Sequence, residues 1–130
     1  MVKGKVEIKV IEAKELANRD LPLGRNDPFV NVIYGDKKFS TQIKKNAGES
    51  VTIHEAFTFE LKEGIASAKV EVVDKDHMKD DLIGEFELSL AQVIESRSYE
   101  NWFPIEYKGK TSGQVHLQLS FTPEGEATKK

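Results

Sequence analysis

The chain has 130 residues, 38% apolar and 32% charged, which suits one globular domain able to bury a core of its own. Net charge is −3 from 19 basic and 22 acidic residues, which excludes a chain-wide polyanion surface and a nucleic-acid partner, and the absence of cysteine excludes disulfides and thiolate metal sites. The apolar runs fall far short of the roughly 20 residues a membrane span needs, and neither a signal peptide, a lipidation motif nor an Asn-x-Ser/Thr acceptor is found, so a cytoplasmic protein is expected.

The elements read in order as strands. Val6, Ile8 and Val10 alternate with Lys5, Glu7 and Lys9, the mark of a half-buried strand. An acidic segment follows, Asp20-Leu-Pro-Leu-Gly-Arg-Asn-Asp27-Pro28, then a strand over 29–34, a turn at Gly35-Asp36, and a strand over 39–43. Phe57, Phe59 and Leu61 alternate with polar residues, as do Ala68, Val70 and Val72. A second acidic segment, Asp74-Lys-Asp76-His-Met-Lys-Asp80-Asp81, leads into Leu-Ile-Gly84 and a strand marked by Phe86, Leu88 and Leu90. Ser89 and Gln92 have capping-box spacing, which predicts a short helix near residues 90–95. A weaker strand over 102–105 and a stronger one over 115–121 complete eight, with Trp102 and the Phe residues expected in the core. The evenly spaced strands predict an antiparallel sandwich over residues 1–123, and residues 124–130 read as a flexible polar tail.

The acidic segments join the first strand to the second and the fifth to the sixth. Both are odd-to-even connections, so a sandwich can place them at one end. Two like charges ~4 Å apart repel by roughly 4 kcal/mol at an effective dielectric near 20, so a cation between them is the economical arrangement. Ca²⁺ accepts six to eight oxygens in loose geometry, whereas Mg²⁺ demands stricter geometry and Zn²⁺ prefers His and Cys. An EF-hand is excluded, because Lys79 stands where that loop needs Gly and the flanks are strands. No nucleophile–base pair or phosphate loop is present, so no enzymatic activity is expected.

Taken together, these motifs resemble the C2 domain, the calcium-dependent lipid-binding β-sandwich. Residues 6–16 are similar to its first strand and following turn, and Asn26-Asp27-Pro28-Phe29-Val30 to its Ser-Asp-Pro-Tyr-Val signature. Val72-Val73-Asp74-Lys-Asp76 and Asp80-Asp81-Leu-Ile-Gly84 resemble its third calcium loop, and Trp102-Phe-Pro-Ile and Gly113-Gln-Val-His-Leu-Gln-Leu its last two strands. The resemblance implies an eight-stranded antiparallel sandwich of phospholipase-type (type II) topology. It implies Ca²⁺ held by Asp20, Asp27, Asp74, Asp76 and Asp81, with the backbone oxygens of Leu21 and Lys75 and with Asp80 as a further ligand. It also implies membrane insertion by Leu21, Leu23 and Met78, and a headgroup patch of Lys37, Lys38, Lys44 and Lys45. Loop 1 is one residue longer and loop 3 one residue shorter than the common pattern, and Glu49–Glu55 replaces the family's Asn-Pro-x-Trp-Asn-Glu segment.

The function so implied is Ca²⁺-dependent binding to anionic phospholipid by a monomeric cytoplasmic module recruited to membranes. The alternative is a Ca²⁺-independent C2 module that binds a protein partner, of unknown identity, or a phosphoinositide through its lysine-rich face.

Overall fold

The alternation in the sequence is carried by eight strands and one short helix in the computed structural model, which describes residues 3–17, 26–76 and 78–125. The strands are β1 (Gly4–Lys14), β2 (Pro28–Tyr34), β3 (Lys37–Ser40), β4 (Val51–Glu60), β5 (Ser67–Asp74), β6 (Asp81–Ser89), β7 (Ser98–Tyr107) and β8 (Lys110–Pro123), with α1 (Ala91–Ser96) between β6 and β7. Their lateral order is β3-β2-β5-β6-β7-β8-β1-β4. Two four-stranded halves are joined where β6 and β7 share one register pair, Glu85 with Glu106. Phe86 and Phe103 stack across that seam, 5.2 Å between centroids, and Phe39 stacks on Phe57 at 5.4 Å where the outer strands of the two halves face each other.

The inward phase of each strand fills one core. Val6, Ile8 and Val10 of β1, Val30 and Val32 of β2, Val70 and Val72 of β5, and Leu117 of β8 are fully buried. Burial of each such side chain supplies about 1.5–3 kcal/mol of driving force. Tyr34 is also enclosed, and its hydroxyl donates to the Ile65 carbonyl at 2.9 Å and accepts from the Lys62 amide at 2.8 Å. That satisfies a polar group which would otherwise be costly to bury.

Several elements differ from the sequence expectation. β4 begins at Val51, well before the Phe57–Leu61 alternation that marked it, and residues 51–56 pair with β1 from Ala13–Val51 back to Lys9–Ala56. β3 ends at Ser40, so Ile43 lies beyond it, and β7 extends well either side of 102–105. The helix starts one residue later than expected; Leu90 is its N-cap, and Ser89 Oγ accepts the Ala91 amide at 3.3 Å. Trp102 is half-buried outside the core, because it pairs with His116 on the outward phase of β8. There it stacks on the His116 ring at 4.9 Å, with Lys14 Nζ 4.2 Å above it.

Candidate functional site

Every neighbouring pair in this sheet joins an odd to an even strand, so all odd strands run towards the same end. The connections β1–β2, β3–β4, β5–β6 and β7–β8 therefore gather there, and both acidic segments belong to that set. Asp20, Leu21 and Leu23 lie outside the described residues, as do residues 126–130 of the expected tail. The other candidate ligands lie at the ends of three adjacent strands, β2, β5 and β6, or in the connection between β5 and β6.

Register sets their spacing. Asp74 ends β5 with Pro28 of β2 on one side and Asp81 of β6 on the other. Asp81 reaches that place through a bulge: Val72 pairs with Gly84 but Val73 with Leu82, leaving Ile83 as the extra residue. Without the bulge Leu82 would face Asp74. Directly opposed residues carry their Cβ atoms about 4.5–5.5 Å apart, so the register sets two carboxylates side by side, which is unfavourable without a counter-charge.

Asp74 is fully buried and fixes the neighbouring strand, since its Oδ1 accepts the Asp27 amide at 2.7 Å. In return the Asp27 carbonyl accepts the Lys75 amide at 3.0 Å. Asp27 Oδ1 accepts the Asn46 amide at 2.6 Å. Asp80 Oδ1 accepts the Asp76 amide at 3.2 Å and lies 3.5 Å from Lys75 Nζ, which closes the β5–β6 connection on itself. Met78, at the tip of that connection, is 94% exposed.

The described donors are oxygen-only, which suits a hard divalent cation, while His77 of the same connection lies outside the described residues. Asp27, Asp74 and Asp81 are brought together by strand pairing, and Asp76 and Asp80 by the connection beyond it. Among the described residues no three carboxylate or histidine groups close around a single metal position.

The β3–β4 connection (residues 41–50) belongs to the same end, which the sequence reading did not foresee. Its backbone is tied to the first acidic segment by three amides: Lys44 to the Pro28 carbonyl at 3.0 Å, Asn46 to Asp27 and Gly48 to the Asn26 carbonyl at 3.1 Å. Asn26 is wholly buried, and its Nδ2 donates to the carbonyls of Ala17 (2.8 Å) and Gly48 (3.1 Å), linking the two connections. The available signal was Asn46-Ala-Gly48, since Asn and Gly tolerate the left-handed φ of 56° and 78° found there. The four lysines of the expected headgroup patch are spread along this path. Lys37 and Lys38 open β3 beside the β2–β3 turn, and Lys44 and Lys45 stand at the acidic end, about 20 Å further along an extended chain.

Among the described residues no helix is long and apolar enough to cross a membrane. A family model described as the C2 domain matches residues 4–105. Rat extended synaptotagmin-1 is 30% identical over 139 aligned residues, taking in 95% of this chain and 12% of that protein, so this chain spans a small part of that relative. A solved C2 domain-containing protein superposes with a TM-score of 0.83 at 25% identity, covering 98% of this chain and 95% of that one. A structure of two C2 domains of extended synaptotagmin 2, solved with calcium bound, gives 0.81 at 27% identity over 93% of this chain and 46% of that one.

Proposed function

The chain belongs to the C2 domain family, and from that premise we propose that it is a non-enzymatic module binding anionic phospholipid in a Ca²⁺-dependent manner through its acidic end. The observation that carries this reading is the β2–β5–β6 register, which sets Asp74 opposite Asp81 and holds Asp27 on the Asp74 carboxylate. Aspartates serving only as turn residues would bond to their own local backbone. Here the Asp27 and Asp74 carboxylates bond across the chain, and the bulge at Ile83 directs Asp81 at Asp74.

In this proposal Asp27, Asp74, Asp76 and Asp81, joined by Asp20, hold the ion, with Asp80 and the backbone oxygens of Leu21 and Lys75 as further ligands. Bound Ca²⁺ supplies positive charge and coordination positions that lipid phosphate completes. The carboxylates alone make this end negative and repel an anionic bilayer. Neutralising them lets Met78, with Leu21 and Leu23, enter the acyl boundary; a fully buried side chain of this kind adds about 1–3 kcal/mol. The module is cytoplasmic, monomeric in solution and recruited to membranes.

Co-sedimentation with phosphatidylserine vesicles tests this. Binding in calcium that a chelator abolishes, and that Asp74→Asn abolishes in calcium, is the expected result. Equal binding with and without chelator would remove Ca²⁺ dependence and favour docking through the lysines.

A further inference from the structure

The lateral order leaves two strand edges open, that of β3 and that of β4. β3 has four residues and begins with Lys37 and Lys38, both exposed, and a short charged edge resists pairing with another chain. β4 has ten residues, with no lysine and no proline among them. Its register with β1 jumps once, where Ile53 and His54 oppose Ile11 and His54 takes a φ of 56°. From Glu55 to Glu60 the pairing is unbroken, Val10–Glu55 through Lys5–Glu60. The Leu61 amide donates to the Gly4 carbonyl. By alternation Glu55, Phe57 and Phe59 turn their amides and carbonyls towards β1, and Ala56, Thr58 and Glu60 turn theirs away from it. The side chains of those last three are exposed, and half-buried Phe57 stacks on Phe39 at the same margin of the sandwich.

An open edge of this kind is completed by another strand, and a second copy of β4 fits it by symmetry. A two-fold axis at Thr58 sets Thr58 opposite its counterpart, Ala56 opposite Glu60 and Phe57 opposite Phe59. Every outward amide and carbonyl of the three exposed residues then meets a partner. An axis at Phe57 would draw the bulged His54 into the ladder, and one at Phe59 would set Ala56 opposite Lys62, beyond the end of β4. The Thr58 axis opposes no like charges. It adds two cross-strand aromatic pairs and a Thr–Thr contact, combinations that each contribute about 0.2–1 kcal/mol. We propose that β4 is a self-association edge, through which two copies of this chain join their sheets antiparallel about Thr58. A ladder this short buries less than the roughly 1,200 Å² of a stable complex, so the copies are separate when dilute and pair when concentrated, as on a membrane surface. The pairing uses neither the ion nor the acidic end, so it holds or fails independently of the proposed function.

The chain has no cysteine, so single cysteines on the exposed face of β4 report the axis directly. Thr52→Cys, Ala56→Cys, Thr58→Cys and Glu60→Cys are each oxidised with copper phenanthroline and run on a non-reducing gel. Directly opposed hydrogen-bonded residues lie about 5.5 Å apart at Cα, within the range a disulfide spans. The expected result is rapid dimer from Thr58→Cys alone. Ala56→Cys and Glu60→Cys should cross-link with each other when mixed but not singly, and Thr52→Cys should stay monomeric. Equal cross-linking at all four positions reports random collision and overturns the inference, as does none at Thr58→Cys. Sedimentation equilibrium into the millimolar range gives a second reading, in which the parent should shift from monomer to dimer. Thr58→Pro removes an amide that points away from β1, so it should melt with the parent and lose the dimer. A parent that stays monomeric throughout, or a Thr58→Pro variant that dimerises like the parent, also overturns the inference. Should Thr58→Pro not fold, the cross-linking pattern decides.

Discussion

Asn26 shows how one side chain can set the shape of a loop cluster. It is fully buried and its amide bridges two carbonyls on separate connections, those of Ala17 and Gly48. Truncation leaves the buried Gly48 carbonyl short of a bond, which costs about 1–3 kcal/mol, whereas the carbonyl of exposed Ala17 can turn to water. Asn26→Ala is therefore expected to destabilise the fold by that amount in urea unfolding, whereas Asn26→Asp, which keeps the shape but loses the donor, should do no better. A variant as stable as the parent would mean that the bridge is not needed to hold the loops. Gly84 acts by absence. A Cβ there would run into Ser112 Oγ and come within 2.9 Å of Ile105 Cδ1, so the residue after the bulge has no room for a side chain. Asp74 combines both roles, as a buried acceptor that positions Asp27 and as a carboxylate facing Asp81.

Between strands, the pattern in the sequence carried more of the fold than of the site. Period-two alternation located β1, β5, β6 and β8, because each turns one face to the core, whereas β2, almost wholly buried, was bracketed by the turns at Asp27-Pro28 and Gly35-Asp36. The same alternation misplaced Trp102, since an aromatic residue can cover the outer face of a strand as readily as the inner. The gathering of both acidic segments at one end was also legible, since it follows from parity in an antiparallel sheet. The bulge at Ile83 was not, although it decides that Asp81 rather than Leu82 faces Asp74; a bulge is a register event, and register depends on the partner strand. Pairing across β5 and β6 also predicts an alkaline signature on the outer face. Lys69 Nζ lies 3.0 Å from Glu85 and 3.7 Å from Glu71. The hydrogen bond and the charge of Glu85 hold the Lys69 pKa above its ordinary value, with smaller help from Glu71 and Glu87 against a burial effect that lowers it. A raised cationic pKa stabilises the fold fully below the unfolded lysine value near ~10.4 and is lost as pH rises through the folded value. Lys69→Met should thus be less stable than the parent at pH 8, by under ~1 kcal/mol for so exposed a pair. The gap should close in urea titrations as pH rises through the folded lysine value, and a gap independent of pH would show that packing, not charge, is responsible.

For the molecule as a whole, the acidic end sets a conflict that ligand binding can relieve. Strand pairing drives Asp74 and Asp81 together regardless of their charge, because the register is fixed by the core beneath Val70, Val72 and Ile83. In the proposed function a cation is what offsets the closeness of these carboxylates. A cation that binds only the folded arrangement stabilises it by about 2.7 kcal/mol at 100 times the dissociation constant. In a domain of this size that corresponds to a rise in melting temperature of roughly 8–10 °C. Calorimetry in millimolar Ca²⁺, against NaCl at matched ionic strength, separates site binding from screening, since screening follows ionic strength alone. Asp74→Asn sharpens the comparison: its side-chain oxygen can still accept the Asp27 amide, so the loop bond survives while the charge is lost. The variant should lose most of the calcium shift. If instead the parent's melting temperature does not move in calcium, the acidic end holds no ion and the Ca²⁺ dependence proposed for it falls.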